Sequence, residues 1–168
     1  DIYKTPETGY REHKSMARAI KEVEALGLTV KTYEGTTGYS AVIDTGKPGP
    51  SVAIMGELDS VVCFDHPHCN PETGAVHACG HHIQVASSIG AVYGLLKSGV
   101  LSELCGKIVL VGVPAEEFLE IGWRNEQREK GDISFLGGKC EFIKRGVFDG
   151  VSCAMMVHAT NAPDTPLT

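Results

Sequence analysis

Between residues 5 and 26, Tyr10, Met16, Ala17, Ile20, Val23 and Leu26 recur at helical spacing among charged positions. The pattern predicts an amphipathic first helix. The period then changes to two: residues 29–33 and 39–44 alternate on either side of a Gly-Thr-Thr-Gly turn, and an apolar run at 51–55 follows Lys47-Pro-Gly-Pro50. Three short strands are predicted. Residues 59–78 show no regular period and hold Pro67, Pro71 and Gly74; a loop this long inside a compact domain is often functional. Residues 81–96 are apolar on most faces, which predicts a buried helix ending near Ser98-Gly99. A β-branched strand is predicted at 107–113, helical and irregular stretches by turns over 116–144, and a second buried strand at 151–157. Strands that alternate with helices and are apolar on both faces predict an α/β protein, a three-layer sandwich with a mixed, largely parallel sheet between helices.

Composition narrows the class. The chain has 168 residues, 42% hydrophobic and 21% charged, as expected for one globular domain with a real core. A net charge of -6 with thinly spread Lys and Arg leaves no basic stripe and argues against nucleic acid. Apolar runs are interrupted well short of a membrane span. Six cysteines in a core-rich chain of this size point to reduced thiols in the cytoplasm rather than a disulfide scaffold. Cys105, Cys140 and Cys153 lie in apolar or helical surroundings and are expected to be small core residues. The chain starts with Asp1, and residues 159–168 read as a Pro-containing linker leading elsewhere; a piece of a longer protein is expected.

The densest chemistry lies at Val76-His-Ala-Cys-Gly-His-His82. Cys79 and His81, separated only by Gly80, can turn toward one metal ion. In open α/β sheets the site lies beyond the carboxyl ends of the strands. There the sequence delivers Gly56-Glu-Leu-Asp59, then Pro114-Ala-Glu-Glu117, then His158. Each has a plainer reading. Glu116 and Glu117 after a proline suit a helix start, Asp59 suits a turn, and a lone strand-end histidine is more often a satisfied core residue. Their joint placement favours a site. The segment Cys63-Phe-Asp-His-Pro-His-Cys69 lacks paired C-x-x-C spacing, so a loop that admits substrate is favoured over a zinc knuckle.

Taken in order, Pro6-Glu-Thr-Gly-Tyr-Arg-Glu12, Gly56-Glu-Leu-Asp59, His77-Ala-Cys-Gly-His81, Pro114-Ala-Glu-Glu117 and His158 resemble the metal-dependent amidohydrolases of the aminoacylase and hippurate hydrolase type, a branch of the dinuclear zinc peptidases. The resemblance implies two divalent ions, zinc, manganese or similar. By it, Cys79 bridges them, His81 and His158 complete one, Glu117 binds the other, Glu116 is the general base and Asp59 orients a ligand. It further implies that residues 1–158 are the amino-terminal part of a catalytic domain, that 159–168 lead to a satellite domain carrying the contacts of a homodimer, and that a histidine far toward the carboxyl end completes the second metal. His82 departs from the family, which usually has Asp or Asn there.

The activity implied is hydrolysis of an amide bond in N-acyl amino acids, aryl-amide conjugates or small dipeptides, with a small-molecule substrate and neither nucleic acid nor membrane as partner. Two rivals stand beside it. One is a non-catalytic metal-binding fragment; the other is a thiol hydrolase using Cys79 with His81 or His77 as base.

Overall fold

The computed structural model describes residues 1–160. The linker expectation for 159–168 therefore lies, from residue 161 onward, outside the described residues. After a 3-10 turn at Ile2–Lys4 come α1 (His13–Ala25), β1 (Val30–Thr32), β2 (Tyr39–Asp44), β3 (Ser51–Glu57), β4 (Val61–Val62), β5 (Ala75–Val76), α2 (His81–Ser98), β6 (Lys107–Val113), α3 (Ile121–Lys130), α4 (Gly138–Lys144) and β7 (Cys153–Met155).

A five-stranded sheet has the order β1-β2-β6-β3-β7. Strands β6, β3 and β7 are mutually parallel, while at one side β2 runs antiparallel to β6 and β1 antiparallel to β2. Alternation along β6 explains the two cores. Leu110 packs with Ala19 and Val23 of α1 and with Val85 and Val92 of α2, whereas Val109, Val111 and Val113 pack with Phe142 of α4 and Val147. Helices thus cover both faces, giving the three-layer sandwich. Truncating a fully buried side chain such as Leu110 to Ala should cost about 2–5 kcal/mol.

This layering places the site. The crossover from β3 to β6 runs through α2 on one face, and the crossover from β6 to β7 runs through α4 on the other. Two connections leaving to opposite faces open a crevice beyond the strand ends.

Several expectations are corrected. Residues 5–12 are not helical, because Pro6 and a positive φ at Tyr10 interrupt the pattern and α1 starts only at His13. The 59–78 loop is closed at its base by a two-stranded ribbon pairing Val61 with Val76 and Val62 with Ala75. Helix α2 is buried on one face only: Ile83 and Tyr93 are exposed, and the packed stripe includes Gln84 and Ser88. The last strand is shorter than 151–157 and exposed, since β7 is an edge. Cys105, Cys140 and Cys153 are exposed, not core residues. No helix of the described residues is long and apolar enough to cross a membrane.

Candidate metal centre

Gly80 caps α2 with φ 97°, a left-handed conformation that favours glycine, so the chain turns sharply between Cys79 and His81. His81 begins the helix and is buried, its ring pointing to the crevice above β3 and β6. Its Nδ1 lies 3.0 Å from the backbone carbonyl of Asp59 and 3.2 Å from Asp59 Oδ1. Those two acceptors place the ring proton on Nδ1 and leave Nε2 with its lone pair facing the crevice.

Around Nε2 the donors converge. Glu57 Oε2 is 3.0 Å away, Glu116 Oε2 3.7 Å and Glu117 Oε1 3.8 Å. Cys79, His81 and His158 bring one ligand atom each within 4.8 Å of one another, and so do Glu57, His81 and Glu116. Cys79 Sγ is 3.3 Å from His158 Nε2. Despite this crowd, His81 Nε2 makes no hydrogen bond and is buried. A lone pair held 3.0 Å from a carboxylate oxygen is repulsive unless a proton on Nε2 or a cation stands between them, and the raised pKa of His81 admits the first as the gathered donors admit the second. The thiol, imidazole and carboxylate donors suit a divalent metal of zinc type.

Asp59 organises more than His81. It is fully buried, and its Oδ2 accepts the backbone N–H of Glu117 at 2.9 Å. One carboxylate thereby fixes a histidine and the backbone of an acidic neighbour together. The segment carrying the glutamates is held from below as well: Ala115 has φ 49°, donates its N–H to Glu12 Oε1 at 2.7 Å and accepts Gly138 N–H at 3.0 Å. A non-glycine residue in this conformation is strained, and these bonds over-determine it.

Protonation follows the crowding. Burial pushes the Cys79 thiol up to about 12, helped by Glu117, Glu116 and Glu57. Glu116 is raised by burial and by Glu57, against the opposing pull of Lys139. For His81, burial is the largest effect and lowers the pKa, but the bonds and charges of Asp59 with the charge of Glu57 outweigh it and the net shift is upward. His77, buried beside His82 with both ring nitrogens unpartnered, falls to about 4, through burial first and then the neighbouring imidazoles. His82 is half-buried, its ring packed at a tilt between those of His77 and Tyr3 with centroids 5.3 and 5.1 Å away, and it belongs to neither donor cluster.

No family model matches the chain. The IAA-amino acid hydrolase ILR1-like 4 of Arabidopsis thaliana is 31% identical over 95% of this chain, and the thermostable carboxypeptidase 2 of Saccharolobus solfataricus is 29% identical over 96%. The crystal structure of the Bacillus subtilis YxeP protein, described as a dinuclear metal binding peptidase from the M20 family, superposes with a TM-score of 0.75 and 25% identity over 99% of this chain. The chain belongs to the M20 family of metal-dependent peptidases and amidohydrolases. It spans 32% and 38% of the length of those two curated relatives, and 42% of the YxeP chain.

Within this M20 chain the sequence-selected residues Asp59, Cys79, His81, Glu116, Glu117 and His158 all meet in one crevice. Three neighbours escaped sequence reasoning. Glu57 sits two residues before Asp59, and period-two alternation was the signal that puts both on one side. Gln84, one helical turn after His81, donates Nε2 to Glu57 Oε2 at 3.0 Å and accepts Glu57 N–H at 3.2 Å. Lys139, from the first turn of α4, pairs with Glu57 Oε1 and carried no local signal. The Cys63–Cys69 loop contributes no donor to either cluster.

Proposed function

We propose that this chain carries the amino-terminal part of an M20 active site that hydrolyses an amide bond in N-acyl amino acids, aryl-amide conjugates or small dipeptides. The observation that carries the reading is the buried, unbonded His81 Nε2 ringed by Cys79, His158, Glu57, Glu116 and Glu117. Cys79, His81 and His158 would hold one divalent ion, zinc, manganese or similar, and Cys79 with Glu117 the second. When bound, such ions supply Lewis acidity toward the scissile carbonyl and make water a stronger acid.

The chain's own residues do the rest. Glu116 is only partly buried and its pKa is raised, so its carboxylate accepts the attacking water's proton and returns it to the leaving amine nitrogen. Asp59 holds His81 in the tautomer that presents Nε2, and fixes the backbone at Glu117. The thiol-hydrolase alternative has a histidine beside the thiol in its favour, His158 rather than the His81 or His77 expected as base, but burial and then the surrounding carboxylates oppose a thiolate.

A homodimer formed through a satellite domain beyond these residues, and a cytoplasmic location consistent with six free cysteines, belong to the same reading. The test is elemental analysis and an assay of the full-length protein on a panel of N-acyl amino acids, with and without chelator. Near two metals per chain and chelator-sensitive release of free amino acid are expected. Metal-free, chelator-insensitive hydrolysis lost on Cys79→Ser would replace this reading with the thiol mechanism.

A further inference from the structure

Glu57 is a buried carboxylate whose two oxygens both have partners. Gln84 grips it at two points, side chain and backbone. Its Oε2 faces His81 Nε2 at 3.0 Å, and its Oε1 is taken by the ammonium of Lys139. The same ammonium stands 3.9 Å from Glu116 Oε1, so one cation touches two of the carboxylates at the metal centre. Lys139 reaches them from α4, across the sheet from the helix that carries His81.

We propose that Lys139 is a positioning residue that decides the ligand status of Glu57 and the orientation of Glu116. With its ammonium on Oε1, Glu57 is neutralised as a pair and is a poor donor to a metal at His81. Without the ammonium, Glu57 becomes an unpaired buried carboxylate whose nearest cation is the metal itself, and Glu116 loses the charge that aligns it. This rests on the metal reading of the site given above.

The test uses the full-length protein with Co²⁺ as the probe, comparing wild type, Lys139→Met, Lys139→Arg and the double variant Glu57→Gln/Lys139→Met. In Lys139→Met, the Co²⁺ absorption bands should change as a carboxylate oxygen joins, and Co²⁺ affinity against a chromophoric chelator should tighten on the order of tenfold. Lys139→Arg should restore the wild-type spectrum, and the double variant should lose the tightening, because Glu57 itself is needed for it. Turnover in Lys139→Met should fall through kcat with KM nearly unchanged. A purely packing role would lower Tm and leave spectrum and affinity at wild-type values; that result overturns the proposal. If the wild type takes up no Co²⁺, the metal reading falls and this inference falls with it; uptake by the wild type with an indifferent Lys139→Met overturns the inference alone.

Discussion

Asp59 grips His81 twice, through its backbone carbonyl at 3.0 Å and its Oδ1 at 3.2 Å, in a place where both side chains are buried. The pair fixes which imidazole nitrogen faces the crevice. Asp59→Ala should therefore weaken metal binding by about 10–100-fold, the usual cost of losing an orienting partner. Asp59→Asn should be nearly as poor, because an amide presenting its oxygen to His81 turns its NH₂ toward the Glu117 N–H that Oδ2 now accepts. Metal dissociation constants by chelator competition check both.

Glu116 and Cys79 should separate cleanly. Glu116→Gln removes the proton acceptor and is expected to lower kcat by about 10²–10⁴-fold while metal content stays near wild type. Cys79→Ala removes a ligand and should lose metal and activity together. Elemental analysis beside initial rates distinguishes the two, and near-normal turnover in Glu116→Gln would remove it as the base.

Glu12 makes stability depend on pH. It is fully buried, and burial followed by the Asp59 charge lifts its pKa from an ordinary 4.5 to about 8, against the hydrogen bonds from Thr37 and Ala115. The folded chain then keeps a proton that the unfolded chain releases. This contribution is fully present below about 4.5 and is lost as pH rises to about 8. Glu12→Gln should remove that slope, so that from pH 5 to pH 8 the wild type loses on the order of a few kcal/mol relative to the variant. Urea midpoints at the two pH values measure it.

Gly138 sits where no side chain fits. A Cβ there would collide with the carbonyl oxygen of Pro114, the residue that precedes the strained Ala115 and the two glutamates. Gly138→Ala should cost about 1–3 kcal/mol of overpacking, and should lower turnover more than a core substitution of equal cost. Thermal melts read against kcat at a temperature where the variant is folded test the difference.

Much of this molecule is legible in order along the chain. The β-branched run at 107–113 is β6 residue for residue, because a strand buried on both faces has to be apolar throughout. Residues 39–44 are likewise β2. The first helix and the last strand are misjudged where local pattern meets tertiary context: a proline and a positive φ at Tyr10 delay α1, and the apolar residues around β7 belong to an exposed edge.

The sequence by itself determined which residue types stand after each strand, and hence the chemistry at Asp59, Cys79, His81, Glu116, Glu117 and His158. That information is local, carried by strand ends and one glycine turn. Only the tertiary structure decided that Gln84 and Lys139 close on Glu57, and that Glu12 props Ala115 from 103 residues away. Such partners are chosen by how elements from opposite faces of the sheet meet beyond the carboxyl ends of its central strands, and no periodicity along a chain records a contact made across the fold.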